Sequence, residues 1–520
     1  MQMTYGVKDK PPVGRLVLFS LQQLLAILAA TIAVPIIIGN GMQPAAALFG
    51  AGVGTLVYLL FTKFKSPVFL GSSFAFLGSM GAAFAGSVSM SLGYLGLLIG
   101  AVLAGLVYVV LAVIVKFVGT KWIDKVMPAV VIGPTVAIIG LSLAGNAIGD
   151  LMKGNVSVTE FIPALNEAGN AIEMIKVDRM LCSPYAALVC GLVTLAVTIV
   201  CSVYGKKMVK MIPFIIGIMS GYALAAIFTG IGFAANCDAL KIIDFTPFTT
   251  LGTPEAWYPN FSFLTAFNVY GDGYGVVKDG VFTAYSAGQI GAYIGTIAVA
   301  YIPVAFVVFA EHIADHKNIS SIIETDLLKD PGLHRTLLGD GVGSIAGAIF
   351  GGCPNTTYGE SVGCVAISGN ASVRTILVTA CMAIVSAFLA PFTLFLSSIP
   401  SCVMGGVCIA LYGFIAVSGL KMIQPVDLND NRNLFTVSVV LIAGVGGMVL
   451  TFGKVTITSV ACALILGILV NLLVNIKSKK NNDGKADGAA AETSETAAVT
   501  VEESKAVAPE EDTVATDTVE

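Results

Sequence analysis

Acidic and imidazole side chains alternate within one apolar stretch of the chain. The segment reads Phe309-Ala-Glu-His-Ile-Ala-Asp-His316 and follows a long, mostly apolar run. A helix turns about 100° per residue, so His312 and His316 share one face, while Glu311 and Asp315 share another. A carboxyl group in such surroundings can bind a small polar solute, and it can take up and release a proton near neutral pH.

A further acid in an apolar region is Glu360, which follows Asn355-Thr-Thr-Tyr-Gly359. Glu311 and Glu360 together predict a polar cavity. Their spacing alone fits a nucleobase, a sugar, an amino acid or an anion almost equally well. The order Glu-His-x-x-x-His over 311–316 differs from the two-histidine zinc motif, in which the glutamate follows the first histidine, so we expect no metal site and no cofactor.

The composition indicates that lipid surrounds most of the chain. Of 520 residues, 56% are hydrophobic and 12% are charged, against about a quarter charged in a soluble domain. Apolar runs of ~20 residues, the length of a membrane-crossing helix, follow one another. The runs lack strand-like alternation, so the predicted class is all-α and polytopic, with the lipid bilayer as partner and no nucleic acid.

Hydropathy windows predict fourteen spans in two sets of seven. The first set lies near 14–37, 44–62, 66–86, 91–117, 127–148, 184–203 and 209–233. The second lies near 288–314, 335–352, 356–370, 373–396, 401–419, 433–453 and 456–476. Lys and Arg recur in alternate connections, which predicts that both termini are cytoplasmic. Examples of these basic residues are Lys63, Lys116, Lys206, Lys317, Arg374, Lys421 and Lys477.

Seven spans followed by seven predict halves of opposite orientation, an inverted repeat. The third and tenth spans are predicted to be broken by short extended stretches, because they contain or follow the poor helix sequences Leu70-Gly-Ser-Ser-Phe-Ala-Phe76 and Gly351-Gly-Cys-Pro-Asn-Thr-Thr-Tyr-Gly359. Interrupted helices at matching places in two halves point to a binding site at the membrane midplane. Close helix packing through small residues is the alternative reading.

The end of the chain differs from the rest in composition. Residues 481–520 contain eleven acidic residues and two lysines, a net charge of −9, whereas the remaining chain carries +5. Such a segment buries too little apolar surface to fold, so residues 477–520 are predicted to be a disordered, acidic cytoplasmic tail. The sequence leaves a monomer and a homodimer equally open.

Four motifs together resemble the nucleobase/ascorbate transporter family, and its bacterial uracil permeases in particular. They are Gly71-Ser-Ser-Phe-Ala-Phe76, Ala310-Glu-His-Ile-Ala-Asp-His316, Asp330-Pro-Gly-Leu-His-Arg335 and Pro354-Asn-Thr-Thr-Tyr-Gly-Glu360. The resemblance runs from about Pro11 to about Ile476. It implies import of uracil with a proton, and it departs from the family pattern at Gln23, where His is usual, and at Ser361, where Asn is usual.

The resemblance also implies a division into a substrate-carrying core and a gate. Residues 1–13 would be the cytoplasmic N-terminus and 234–287 an external loop. The core would consist of 14–117 and 288–396, and the gate of 127–233 and 401–476. Transport would be movement of the core against the gate.

The family likeness assigns roles to six residues. Glu311 and Glu360 would hold the N–H side of uracil, and the backbones of Phe74 and Gly359 would hold its carbonyl groups. Glu311, Glu360, His316 and Tyr358 would serve proton coupling. Within the family, Glu at position 360 is typical of uracil carriers and Gln of xanthine and urate carriers.

Four other readings compete with a uracil symporter. A carrier of xanthine, another purine or thymine would share the architecture. An anion exchanger of the same architecture would not be expected to have two acids at its site. A passive channel differs in lacking concentrative uptake, and an enzyme would need a nucleophile and base that the sequence does not offer.

Overall fold

The computed structural model describes residues 3–165, 171–206, 208–269, 273–278, 281–452 and 455–476. The predicted tail, 477–520, lies outside the described residues. The described chain is mostly helical. Its first half contains α1 (Val13–Ile38), α2 (Pro44–Phe61), α3 (Leu77–Ala83), α4 (Met90–Val118), α5 (Lys121–Val126), α6 (Ala129–Ser142), α7 (Ala144–Asp150), α8 (Pro184–Tyr204), α9 (Met208–Met211), α10 (Pro213–Ala234) and α11 (Ser262–Phe267).

The second half begins with the longest helix of the described chain. Its helices are α12 (Ala287–Ile323), α13 (Leu333–Gly351), α14 (Gly359–Ser368), α15 (Val373–Ser386), α16 (Ala390–Ser398), α17 (Ser401–Ile423), α18 (Asn431–Val445) and α19 (Ser459–Asn475). The 3₁₀ turn Phe74–Phe76 leads into α3, and further 3₁₀ turns lie between α10 and α11. Because α12 continues to Ile323, it extends beyond the predicted span 288–314.

Eight helical segments of the described chain are long and apolar enough to cross a membrane. They are α1, α2, α4, α6 with α7, α8, α10, α12 and α17. A ninth results if α15 and α16, which are bent by 83° relative to each other, count as one span. Each of the fourteen predicted spans contains a helix, but several of these helices are short or less apolar, so the count of fourteen stays a prediction. The chain is a multi-pass membrane protein.

The described chain also contains four antiparallel pairs of strands, and the pairing of strands was not part of the prediction. The strands are β1 (Leu70–Ser72), β2 (Ser157–Leu165), β3 (Ala171–Met180), β4 (Gly275–Lys278), β5 (Val281–Ala284), β6 (Asn355–Thr357), β7 (Leu450–Phe452) and β8 (Val455–Ile457). The pairs are β1 with β6, β2 with β3, β4 with β5, and β7 with β8. The strands β1 and β6 have three residues each, too few for an alternating pattern to be recognised.

The helices pack in two groups. One consists of α1, α2, α4, α12, α13 and α15, and the other of α6, α8, α10, α17, α18 and α19. In the first group α2 crosses α13 so closely that a Cβ atom at Gly50 would lie 2.3 Å from the carbonyl oxygen of Gly347. In the second, α6 crosses α17, and a Cβ atom at Gly140 would lie 2.2 Å from the oxygen of Tyr412. Glycine allows these backbones to touch.

The N-terminal residues lie against the connection between α14 and α15. The N–H of Thr4 donates to the oxygen of Gly369 over 2.7 Å, and the N–H of Ala371 donates to Tyr5 over 2.9 Å. The segment that follows Glu360 is therefore held by the start of the chain.

Candidate functional site

The acids of the 309–316 segment lie on α12, with the orientation that the helical period predicts. This helix begins with a capping box between Ser286 and Gln289. Glu311 and Asp315 are half-buried, whereas His312 and His316 are fully buried. One face of α12 therefore presents carboxylates to a cavity, and the other face presents imidazoles to neighbouring helices.

Two extended segments cross in front of α12. In the β1–β6 pair, Leu70 faces Thr357 and Ser72 faces Asn355. Backbone hydrogen bonds continue the crossing, from Ser73 N–H to Pro354 over 2.9 Å and from Tyr358 N–H to Phe69 over 3.2 Å.

Each of these extended segments leads into a helix. One helix runs from the turn at Phe74 to Ala83, and the other is α14, which begins at Gly359. The first N–H groups of a helix have no partner within it. Both helix N-termini therefore offer backbone donors beside the crossing strands.

A cavity of about 340 Å³ lies between α12, the crossing strands and the second helix group. This volume falls within the range typical of small-molecule sites. Its polar wall includes Ser73, Phe74, Glu311, Asp315, Thr357, Tyr358, Gly359 and Glu360. Its opposite wall is largely apolar and includes Val136, Ile139, Pro213, Phe214, Phe414 and Ile415. The cavity thus combines several carboxylates and backbone donors with an apolar face, which suits a small, flat, polar ring.

The cavity reaches the surface of the protein beside two exposed polar residues. Lys210 and Asn318 belong to its lining, and both are exposed. Lys210 lies in α9, within a connection that the charge pattern predicts to be cytoplasmic.

Two side chains on the polar wall are held by the protein itself. The hydroxyl of Thr357 donates to Oδ2 of Asp315 over 2.7 Å, and that of Tyr358 donates to the oxygen of Ser72 over 2.8 Å. The ring of Tyr358 lies against Gly71, where a Cβ atom would come within 2.3 Å of it. A side chain at position 71 would therefore displace the Tyr358 ring.

The structure brings five of the six predicted site residues to the cavity. Phe74, Glu311, Tyr358, Gly359 and Glu360 line it.

His316 is the predicted site residue that the cavity lining does not include. Its Nε2 atom lies 2.8 Å from the hydroxyl of Tyr58, and its Nδ1 atom lies 2.8 Å from the oxygen of His312. Because a carbonyl oxygen can only accept, Nδ1 donates to it, while the Tyr58 hydroxyl beside Nε2 donates to Oγ of Ser66 over 2.7 Å. Asp315, one helical turn from Glu311, lines the cavity, and the role of His316 in proton coupling stays a prediction. The helix face shared by Glu311 and Asp315 was the signal in the sequence.

A second buried polar group lies behind the cavity. The Nδ1 atom of His312 is 2.7 Å from Oδ2 of Asp340, and its Nε2 atom is 3.0 Å from the hydroxyl of Thr336. The exposed fractions of the His312 and Asp340 side chains are 0% and 1%. An aspartate within a helix rich in glycine and apolar residues was the signal for this pair, which the sequence analysis did not select.

The two residues that depart from the family pattern contact each other. The side-chain amide of Gln23 donates to the hydroxyl of Ser361 over 2.5 Å. The same hydroxyl accepts from the N–H of Phe69 over 3.1 Å. Gln23 and Ser361 therefore connect α1, the start of α14 and the segment before β1.

Known proteins resemble this chain over most of its length. The permease family of the xanthine/uracil type matches residues 14–452. Two uracil permeases, from Bacillus caldolyticus and Bacillus subtilis, are 37% and 35% identical to it. These matches cover 90% and 91% of this chain and 94% and 95% of the respective relatives. The uracil permease of Escherichia coli K12 is 32% identical, with 91% of this chain and 94% of the relative covered.

Solved structures resemble the fold at low sequence identity. The murine Slc26a9 anion transporter in the inward-facing state has a TM-score of 0.57 at 13% identity, covering 91% of this chain and 69% of its own. The transmembrane domain of the cyanobacterial bicarbonate transporter BicA has a TM-score of 0.53 at 16% identity, covering 91% and 99%. These likenesses concern the fold alone. The family match and the relatives establish more: the chain belongs to this permease family, the nucleobase/ascorbate transporter family, and is a multi-pass membrane transporter.

Proposed function

We propose that this chain imports uracil together with a proton across the cell membrane. The observation that carries the proposal is the cavity in which Glu311, Asp315 and Glu360 share one wall with two helix N-termini. The names of the relatives, all uracil permeases at 32–37% identity, supply the substrate.

Uracil offers two N–H donors and two carbonyl acceptors on one flat, uncharged ring. Glu311 and Glu360 accept from its N–H groups. The backbone N–H groups of Phe74 and Gly359, at the two helix N-termini, donate to its carbonyl oxygens. The apolar wall with Phe214 and Phe414 packs against the face of the ring.

The same carboxyl groups carry the proton. Carboxyl groups that share a low-dielectric cavity exchange protons as a coupled set, and a bound ligand changes that equilibrium. In this proposal Glu311, Asp315 and Glu360 exchange the proton with the cavity. Tyr358, on the polar wall, and His316, which contacts Tyr58 outside the cavity lining, serve the same proton coupling.

The architecture that serves this function has fourteen spans in two inverted repeats. Three pairs of elements occupy matching positions in the two halves, and the members of each pair are in direct contact. The pairs are β1 with β6, α2 with α13, and α6 with α17. A twofold relation between halves brings matching elements together in this way. The breaks in the third and tenth spans are the extended segments at β1 and β6.

The two helix groups support alternating access. In this proposal the core consists of residues 14–117 and 288–396, the gate consists of 127–233 and 401–476, and one moves against the other. Both termini are cytoplasmic. Because the cavity reaches the exposed residues Lys210 and Asn318 in predicted cytoplasmic connections, it opens inward.

An anion exchanger of the same fold is the second candidate, since both solved structures are named as transporters of anions or bicarbonate. The cavity argues against it, because Glu311, Asp315 and Glu360 would repel an anion. A carrier of xanthine or thymine fits the cavity better, and Glu at position 360 favours a pyrimidine over xanthine.

Uptake by the purified chain in proteoliposomes tests the proposal. We expect labelled uracil to accumulate under an imposed inward proton gradient and to be lost when a protonophore is added. Excess unlabelled xanthine, thymine and sulfate are the competitors. Accumulation of xanthine or sulfate in place of uracil would contradict the proposal.

A further inference from the structure

The first described residues of the chain form a strap beside the short helix α14. This strap, residues 3–9, runs parallel to the connection between α14 and α15, and Tyr5 faces Asn370. The N–H groups of Thr4 and Tyr5 both donate to the oxygen of Gly369, over 2.7 and 3.2 Å. Gly369 caps α14 in a left-handed conformation. The strap therefore holds the end of that helix.

The contact continues along the connection that follows α14. The N–H of Val373 donates to the oxygen of Val7 over 3.1 Å. The hydroxyl of Ser372 donates to the oxygen of Asp9 over 2.7 Å. Ala371 and Ser372 are fully buried. The strap thus pairs with the connection from its start to its end.

The side chain of Tyr5 joins the strap to α1. Its hydroxyl accepts a hydrogen bond from Nη1 of Arg15 over 2.9 Å. Its ring meets that of Phe19 edge-on, with the ring centroids 6.0 Å apart. The strap is therefore fixed on two sides, by α1 and by the end of α14.

The helix α14 depends on such anchors because it is short. It has ten residues, and helices of fewer than about 12 residues are marginal on their own. Its interior contains Gly363, which weakens a helix relative to alanine. Its first turn carries Gly359 and Glu360, which line the cavity. The β1–β6 pair anchors the start of α14, and the strap anchors its end.

We propose that the strap is a positioning element for substrate binding, which holds α14 so that Gly359 and Glu360 meet the bound pyrimidine. The inference rests on the proposed function. A hydrogen-bonded helix is stiff, so a displacement of its end also moves its first turn. Groups that the protein holds in place before binding lose less entropy when the ligand arrives. Release of the strap should therefore weaken binding through Glu360, whereas Glu311 lies on α12 and should keep its contribution.

Calorimetric titration of uracil into full-length variants tests this role. Thr4→Pro removes the N–H that donates to Gly369 and puts a ring carbon in its place. It should raise Kd about twofold to tenfold, as expected for the loss of one neutral hydrogen bond. Thr4→Ala changes an exposed side chain but retains the N–H, so it should keep the wild-type Kd.

Lys10→Pro controls for the general effect of a proline in this region. Lys10 precedes Pro11, which already favours an extended backbone at that position. Its N–H donates to no acceptor among the described residues. Lys10→Pro should therefore also keep the wild-type Kd.

Combination with Glu360→Gln and Glu311→Gln separates positioning from a general loss of stability. If Thr4→Pro displaces Glu360, part of the contribution of Glu360 is already lost, and the two changes are not additive. The increase in Kd caused by Glu360→Gln should be at least about twofold smaller in Thr4→Pro than in the wild type. The increase caused by Glu311→Gln should be the same in both.

Hydrogen exchange measures the anchoring of α14 without a ligand. The amides of 362–368 should exchange faster in Thr4→Pro than in Thr4→Ala, while those of α12 exchange equally in both. Ser372→Ala removes only the contact with Asp9 and keeps every backbone hydrogen bond, so it tests the role even if Thr4→Pro does not fold. It should raise the Kd for uracil about twofold or more.

The outcomes separate this inference from the proposed function. If the wild type binds uracil and neither Thr4→Pro nor Ser372→Ala changes Kd, the role of the strap is overturned. Equal increases from Glu360→Gln in Thr4→Pro and in the wild type overturn it as well. A wild type that does not bind uracil contradicts the proposed function. Hydrogen exchange then decides about the strap, and equal exchange of α14 in Thr4→Pro and Thr4→Ala overturns its hold on that helix.

Discussion

The hydroxyl of Thr357 donates a hydrogen bond of 2.7 Å to Oδ2 of Asp315. This contact joins β6 to α12, and both residues line the same cavity. It fixes a carboxylate beside Gly359, whose Cβ, if present, would lie 4.0 Å from the other oxygen of Asp315. The helix N-terminus at α14 and the acids of α12 are thereby held at a set separation.

Removing the Thr357 hydroxyl should weaken transport. Thr357→Val keeps the shape of the side chain but leaves Asp315 without its donor, and a hydrogen bond to a charged group contributes about 1.5–3 kcal/mol. We expect uptake efficiency, measured as Vmax/KM for uracil, to fall about tenfold or more. Thr357→Ser retains the donor and should remain near wild type. Equal activity of the Val and Ser variants would show that the contact has no role.

Proton coupling should depend on Asp315 more than on His316. Asp315→Asn keeps an acceptor for Thr357 but cannot release a proton, so gradient-driven accumulation of uracil should be lost while counterflow exchange continues. His316→Gln alters a side chain outside the cavity lining, and accumulation should continue at a reduced rate. Both activities are measured in the same proteoliposomes. Loss of accumulation in the His316 variant with retention in Asp315→Asn would reverse the assignment.

The buried pair of His312 and Asp340 should stabilise the fold. His312→Ala leaves a carboxylate buried without its partner, a change that costs about 3–5 kcal/mol of unfolding free energy. Asp340→Asn retains an acceptor for Nδ1 of His312 and should cost less. Thermal unfolding of the purified variants measures both.

The exposed pair of Lys65 and Asp330 is the control for that experiment. These side chains are 2.6 Å apart but 36% and 66% exposed. Asp330→Asn should change the unfolding free energy by less than ~1 kcal/mol. A His312→Ala variant as stable as Asp330→Asn would mean that the buried pair contributes little.

The crossing of α2 and α13 should not tolerate a side chain at Gly50. A Cβ atom there would lie 2.3 Å from the oxygen of Gly347, so Gly50→Val should push the helices apart and lower the yield of folded protein. Gly413→Ala on α17 is the control, because its Cβ would find no atom within 4 Å. Size-exclusion chromatography of detergent extracts compares the two. A normal elution profile for Gly50→Val would refute the close crossing.

The sequence predicts the helical elements well because lipid imposes a simple rule. Long apolar runs must become helices when no water is present to satisfy their backbone groups. The spans predicted at 44–62 and 184–203 match α2 and α8 within two residues at each end. The strands β1 and β6 were not predicted as a pair, because their contact joins residues far apart in the chain and each strand is very short.

The site was predicted in part, for a similar reason. Glu311 and Glu360 stand out as acids in apolar surroundings, and that signal is local. Whether Asp315 or His316 faces the cavity depends on the rotation of α12, which its neighbours set. The contact between Gln23 and Ser361 joins α1 to α14. It could not be predicted from the sequence, because the two residues lie far apart in the chain.

The most direct test of the central claim is a calorimetric titration of uracil into the purified chain and its Glu360→Gln and Glu311→Gln variants. Each substitution removes a charged acceptor, so the account predicts that Kd rises about tenfold to a hundredfold in either variant. Glu255→Gln, in the predicted external loop and outside the cavity lining, should keep the wild-type Kd. Unchanged uracil binding in both cavity variants would contradict the claim that these two carboxylates hold the pyrimidine.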